Sequence, residues 1–445
     1  MVCHRALTKR RLLKYGVTLA FFTLLAQVYF HKDEVKLNKH DIIQKYSKLY
    51  SPRGPLTRRP STPPANVQQL LESMNKRRDR VRKVCSDPDI RRKSEELSDH
   101  TLVSRMHHFV YCPVEKSAST FWRRFLYQLE FTNPMQSPFN VSVREAYDGM
   151  TSRVKVFEKG KKLKKLLEAA TKVIFVRDPF YRLFSAYVDK LMSPNPFYWE
   201  LWGLPATRKY RPEKQALKGA KLCGSNVTFP EFIHLVTDEL WLEESHVMPI
   251  SRMCDPCGFN YTVIGKLETF TRDTRLVLEY LGLNENQVGL DRMSHDVFSD
   301  AVRDSVTDAL SDSWLNMTLK CVSRTEVARR IWRKLQLRGF ISWRLNFELR
   351  PEDVKTLQSG DFIDILEAAA KASAEFQDLR FQKRQALQEA LKSLKSWQYD
   401  EIMRIFTADF LMFGYNSSEL LGNLHNVKTT GAFDWWKDWD LSALV

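Results

Sequence analysis

The sequence lacks glycine where a nucleotide-binding loop would need it. No glycine lies between Val110 and Gln128. The strand-to-helix loop in that stretch therefore lacks the Gly-x-x-x-x-Gly-Lys spacing of a P-loop NTPase, which argues against a kinase-like nucleotide enzyme. A second Cys-x-x-Cys is also missing. Cys254-x-x-Cys257 stands alone, so four-ligand zinc spacing is absent and a lumenal disulfide is the better reading. There is no zinc-finger or basic-zipper pattern and no RNP-type aromatic motif, so the common nucleic-acid modules are excluded. No internal repeat is present. Acidic residues are scarce at one end: residues 1–93 hold 7 Asp/Glu against 22 Lys/Arg.

What is there is an ordinary globular balance. The 445 residues are 43% hydrophobic and 27% charged, which excludes wholesale disorder and collagen-like repeats. The length suits one large domain or two ordinary ones. The net charge of +16 suggests an anionic partner, but it is unevenly spread. Residues 1–93 carry a net +15, residues 105–221 a net +12, and residues 222–445 a net −8.

Arg5, Lys9, Arg10, Arg11 and Lys14 precede a charge-free apolar run from Tyr15 to Phe30. The run is short for a spanning helix, and no small-x-small cleavage site ends it. The positive flank predicts a cytoplasmic N-terminus with the remainder lumenal, so 1–14 reads as a cytoplasmic tail and 15–31 as a signal-anchor. Residues 32–104 read as a basic, breaker-rich stem, with a helix expected around 66–84. Beyond lie a globular domain over 105–420 and a tail over 421–445. Five sequons begin at Asn140, Asn226, Asn260, Asn316 and Asn416, which marks them as candidate glycosylation sites. With Cys3 on the cytoplasmic side, six cysteines remain for the lumen: Cys85, Cys112, Cys223, Cys254, Cys257 and Cys321. Six cysteines allow 15 pairings, and the sequence does not choose among them.

Two strand–loop–helix units carry the chemistry. Met106–Val114 reads as a buried strand, Glu115–Thr120 as a small polar loop, and Phe121–Phe131 as a helix. Then come the basic run Lys159–Lys165, a strand over Lys172–Val176, the turn Arg177-Asp178-Pro179 and a helix from about Phe180 to Leu191. This alternation indicates an α/β sheet. A loop entering a helix presents backbone N–H groups to an anion. Lys116 adds a full charge, and Ser117, Ser119 and Thr120 add hydroxyls. Arg177, at a strand end, and Ser185, on the next helix, suit a terminal phosphate. The lysines of 159–165 fit either a groove for an acidic glycan or a solvated helix face. Residues 326–397 look helical and highly charged.

Together these stretches resemble the Golgi carbohydrate sulfotransferases, in particular the chondroitin, dermatan and GalNAc 4-sulfotransferases and the HNK-epitope sulfotransferase. Cys112–Arg124 looks like the family's 5′-phosphosulfate loop, and Val173–Lys190 like its 3′-phosphate motif. Ser245-His246-Val-Met-Pro249, Cys254-Asp-Pro-Cys257, Ile264–Thr269 and Phe410–Tyr415 resemble further family motifs, in order. The resemblance implies a P-loop-like α/β fold with a central parallel sheet. It implies a type II Golgi enzyme moving a sulfuryl group from 3′-phosphoadenosine 5′-phosphosulfate to a sugar hydroxyl of a glycosaminoglycan or glycoprotein glycan, with chondroitin/dermatan or a GalNAc 4-hydroxyl favoured. By position, Lys116, Ser117, Ala118, Ser119, Thr120, Phe121 and Trp122 form the donor loop, and Arg177 and Ser185 hold the 3′-phosphate. No metal and no nucleic acid are implied. His246 is the first candidate for general base and Glu115 the second. His107 and His108 read as core or surface. The chain departs from the family pattern at Glu115, where proline is usual, at Phe121, where asparagine is usual, and at Val247, where tryptophan is usual. An inactive lumenal glycan-binding member is the alternative reading. Trp435-Trp436-Lys437-Asp438-Trp439 reads as a packed end or a sugar-stacking patch. Nothing in the sequence indicates an oligomeric state.

Overall fold

The computed structural model describes residues 65–90, 100–132, 136–149, 160–211, 223–238, 241–376, 379–422 and 424. The expected anchor at 15–31, the first part of the expected stem and the aromatic tail lie outside the described residues. Among the described residues, no helix is long and apolar enough to cross a membrane.

The first described element is helix α1 (Ala65–Val84), which the sequence places within the stem. It is not a solvated arm. Met74 and Val81 are buried, and Arg77 reaches the buried Asp273 at 2.6 Å and the Ile264 carbonyl at 2.7 Å. Among the described residues, packing therefore begins at α1.

Among the described residues, the sheet has four strands in the order β1 (Leu102–Ser104), β2 (Phe109–Cys112), β3 (Thr171–Val176) and β4 (Val263–Lys266). β2, β3 and β4 are parallel, and β1 runs antiparallel to β2. The single strand expected over Met106–Val114 is instead the second arm of a hairpin. The chain turns at Arg105–His108, where His108 has φ +47°, and Met106 is 60% exposed. The parallel strands are continuous apolar runs because they are covered on both faces. Helix α2 (Ser119–Phe131) covers one face with Trp122, Phe125 and Leu126. Trp122 packs on Phe175 of β3 with ring centroids 4.9 Å apart. Gly265 of β4 leaves room for that packing, since a Cβ there would sit 2.5 Å from the Phe175 ring.

Helix α3 (Gly160–Ala169) holds the basic run from residue 160 onward. Leu166 and Leu167 pack toward β1 and β2, while Lys161, Lys162, Lys164 and Lys165 are exposed. Helix α4 (Pro179–Tyr187) follows β3 and passes into a π-helical turn at Val188–Met192. Beyond β4 come α5 (Phe270–Leu281), α6 (Met293–Ala309), α7 (Arg324–Leu337), α8 (Ser359–Ser373), α9 (Leu379–Lys392) and α10 (Thr407–Phe413). The expectation of helix over 326–397 holds. Ile331 and Leu335 of α7, Phe362 and Leu366 of α8, and Leu387 and Leu391 of α9 are all buried in one core with α4.

All six cysteines assigned to the lumen are paired: Cys85 with Cys257, Cys112 with Cys254, and Cys223 with Cys321. The Cys-x-x-Cys pair is split between two partners rather than joined. Among the described residues, no group of His, Cys, Asp and Glu is arranged to hold a metal ion.

Candidate active site

The loop from β2 to α2 forms one wall. Lys116 and Ala118 both take left-handed backbone conformations, with φ of +67° and +64°. Side chains rarely accept that geometry, and it costs on the order of 1–3 kcal/mol per residue. Without glycine, the loop must be held by its surroundings. Ala118 is the N-cap of α2, and no side-chain hydrogen bond caps the helix. The first N–H groups of a 13-residue helix are thus left for an anion.

Two arginines hold this loop. Arg177, at the end of β3, donates from Nη1 to the Lys116 carbonyl at 3.0 Å. Arg182, fully buried on α4, donates to the carbonyls of Glu115 (3.0 Å), Met248 (2.6 Å) and Ser245 (2.7 Å). Arg182 therefore ties the donor loop to the segment that carries His246. Its role was missed in the sequence because its partners are backbone atoms far along the chain. The Arg177-Asp178 pair divides its work: Asp178 caps α4 by accepting from the N–H groups of Phe180 and Tyr181.

The proposed donor-loop residues do not all face the same way. Ser119 Oγ donates to Glu115 at 2.6 Å, and Thr120 is half-buried. The Ser117 hydroxyl is buried and has no partner among the described residues. Phe121 and Trp122 sit in the aromatic core beneath the loop, so their side chains support it from inside. Ser185 is half-buried on α4.

Glu115 loses its standing as a base. Burial favours its protonated form, but Arg123 at 3.1 Å, His246 and Ser119 outweigh that and hold its pKa at about 2. A carboxylate so stabilised does not accept a proton near neutral pH.

His246 has the opposite arrangement. Its Nδ1 lies 2.8 Å from Glu244 Oε1 and 3.2 Å from the Tyr198 hydroxyl, and its backbone N–H donates to Glu244 Oε2. A carboxylate on Nδ1 fixes the tautomer that leaves Nε2 as the acceptor. Among the described residues, Nε2 makes no hydrogen bond. Glu244 was not singled out from the sequence, although it lies two residues before His246.

Lys116 Nζ pairs with Asp189 at 2.7 Å. Burial lowers the lysine's pKa and the neighbouring Lys190 and Lys334 lower it further, so it stands at about 8 despite Asp189. Lys190, next to Asp189, lies 4.7 Å from the centre of the Tyr198 ring. An unbroken series of contacts thus runs from Lys116 through Asp189, Lys190 and Tyr198 to His246. His107 and His108 lie apart from it, in the β1–β2 turn.

Four of the five sequon asparagines, Asn140, Asn260, Asn316 and Asn416, are exposed. Asn226 is half-buried, and its side-chain oxygen accepts from Arg211 at 3.2 Å.

Residues 99–336 match the model of the sulfotransferase family. The chain is 34% identical over 193 residues to human carbohydrate sulfotransferase 9, covering 40% of each. It is 32% identical to mouse carbohydrate sulfotransferase 14 over 45% of this chain and 54% of the relative. It is 31% identical to mouse carbohydrate sulfotransferase 11 over 47% and 61%. The chain thus spans about half the length of the curated relatives it matches. No solved structure matches. With a family match over more than half its residues, including the loop and strand that hold Lys116 and Arg177, the chain belongs to the sulfotransferase family.

Proposed function

We propose that the protein is a carbohydrate O-sulfotransferase that uses 3′-phosphoadenosine 5′-phosphosulfate as donor and a glycan hydroxyl as acceptor. The observation that carries this reading is the bond from Arg177 to the carbonyl of Lys116. It joins the two anion-binding elements into one site beside an uncapped helix start.

The donor fits these residues. Lys116 and the start of α2 suit the phosphosulfate, and Arg177 suits the 3′-phosphate. Sulfuryl transfer resembles phosphoryl transfer, in which positioning and charge stabilisation dominate. The acceptor oxygen forms the new bond to sulfur while the bond from sulfur to the bridging oxygen breaks. The hydroxyl proton passes to His246 Nε2, and 3′,5′-ADP leaves. Lys116 stabilises the charge that develops on the bridging oxygen. Glu244 orients His246 and stabilises its imidazolium.

The reading includes a type II Golgi protein anchored by residues 15–31, and an acceptor of the chondroitin/dermatan or GalNAc 4-hydroxyl class. The basic N-terminal flank, the sequons and the paired cysteines support the lumenal placement. The names of the relatives support a carbohydrate acceptor.

A second reading, an inactive glycan-binding member, draws on one observation: Glu115 occupies the Ser119 hydroxyl. Radiolabelled donor offered with desulfated chondroitin, dermatan, heparan and N-glycan acceptors separates the two. Sustained incorporation that Lys116→Ala and Arg177→Ala both abolish supports the enzyme. Wild-type-like incorporation by both variants overturns the site assignment. No incorporation into any acceptor favours the binding protein.

A further inference from the structure

Asp189, on the π-helical turn after α4, is surrounded by more positive charge than it can neutralise. Lys116 Nζ lies 2.7 Å from its Oδ2, Lys190 Nζ 3.5 Å from the same oxygen, and Lys334 Nζ 3.1 Å from Oδ1. One carboxylate thus faces three ammonium groups. The three lysines come from three separate elements: the donor loop, the π-helical turn and α7. Lys334 is 145 residues away from Asp189 in sequence and is only 10% exposed, with Asp189 as its hydrogen-bonding or ionic partner among the described residues. Asp304 and Asp308 of α6 also face Lys334, with Arg338 close by, and burial favours the protonated form of both aspartates.

We propose that Lys334 is a donor-binding residue: together with Lys116 it grips the phosphosulfate end of the donor, and Asp189 holds both ammonium groups in position before the donor arrives. This inference rests on the sulfotransferase reading above.

A structural ion pair needs one lysine for one carboxylate. Two further lysines in a largely buried place repel one another, and an anion offsets that repulsion. The two oxygens of Asp189 bridge Lys116 and Lys334, as two oxygens of a phosphate or sulfate would. The uncapped start of α2 belongs to the same loop as Lys116, so backbone donors and ammonium groups converge there. A π-helical turn inserted after a regular helix is frequent at functional sites, and here it is what carries Asp189 and Lys190 into the cluster.

The test uses the full chain and two ligands that differ only at the 5′ end. Lys334→Met keeps the length of the side chain and removes its charge. It should weaken 3′,5′-ADP binding by about 10- to 100-fold, the loss of one charge-assisted contact. It should leave 3′-AMP binding and the acceptor KM unchanged, and Lys334→Arg should restore most of the 3′,5′-ADP affinity. Equal loss for both nucleotides, or no loss for either, overturns the inference. Should Lys334→Met not fold, acetylation footprinting of the wild type decides. Protection of Lys116 and Lys334 together by 3′,5′-ADP supports the assignment, and protection of Lys116 alone overturns it. A wild-type chain that binds no 3′,5′-ADP refutes the donor reading itself, whereas a wild type that binds it equally well as Lys334→Met refutes only the role of Lys334.

Discussion

The Arg177 guanidinium donates to the main-chain carbonyl of Lys116, so the side chain proposed to hold the 3′-phosphate also shapes the loop proposed to hold the phosphosulfate. Arg177→Ala should therefore damage both ends of the donor site. The expected loss in kcat/KM for the donor is about 10- to 100-fold or more, from a charge-assisted contact of ~1.5–3 kcal/mol. Arg177→Lys should rescue little, because a single ammonium cannot serve the carbonyl and a phosphate together. Steady-state kinetics at varied donor concentration checks this.

His246→Ala should lower kcat by about 10²–10⁴-fold with donor affinity intact, as expected for removal of a base that touches only the acceptor. Glu244→Gln should lower kcat less and leave the KM for donor unchanged, since it acts through the histidine. If His246→Ala retains wild-type kcat while Glu115→Gln abolishes it, the assignment of the base is reversed.

The pH profile has a defined alkaline side. Burial, with Lys190 and Lys334, brings the Lys116 ammonium down to about 8 in the free chain. The charged form is the one that meets the anion, so kcat/KM for the donor should fall as pH rises through about 8. An ordinary lysine would stay charged to about 10.4. Lys116→Arg, if active, should move that limb to higher pH. A flat profile from pH 7 to 10 in the wild type would count against Lys116 as the essential cation.

Glu115 makes a stability prediction at the acid end. Its folded-state pKa of about 2 lies below the ordinary value of 4.5. The stability it contributes is fully present above about pH 4.5 and is lost as pH falls through 2. The ceiling is about 3 kcal/mol for an isolated group. Urea unfolding across this range should show a smaller acid-dependent loss for Glu115→Gln than for the wild type.

The boundary of the folded unit is also testable. Arg77→Ala removes the 2.6 Å partner of the buried Asp273, which keeps Arg272 at 3.2 Å, so the loss should fall below the about 3–5 kcal/mol of a buried charge left unpaired. A secreted fragment beginning at residue 64 should fold. One beginning at residue 85, which keeps Cys85 and β1, lacks only α1 and should aggregate. Equal yields and melting temperatures from the two fragments would show α1 to be dispensable.

The two strand–loop–helix units were legible because they are local: apolar runs, a polar loop and a helical period stand next to one another in sequence. The even cysteine count pointed to bridges but not to their pairing, which depends on positions 98 to 172 residues apart. α1 was misread as stem because its charged residues dominate its composition. Leu70, Leu71, Met74 and Val81 form the inward stripe, and four apolar residues among many lysines and arginines make a faint signal. β1 was missed because three residues give too short a pattern. Asp189 lies within the Val173–Lys190 stretch without a role that the stretch itself reveals, and Lys334 carries no motif at all, since the meaning of each depends on the other.

The bridge between Cys112 and Cys254 joins the last residue of β2, four positions before Lys116, to the short helix that follows the His246 segment. In the reduced chain, Arg182 alone among these links ties the two loops, through backbone carbonyls. Reduction of this bridge should therefore loosen the register between the two halves of the site, whatever side chains they carry. A newly synthesised copy held among cytosolic reductants would carry every side chain needed for the chemistry and still lack a durable arrangement of them.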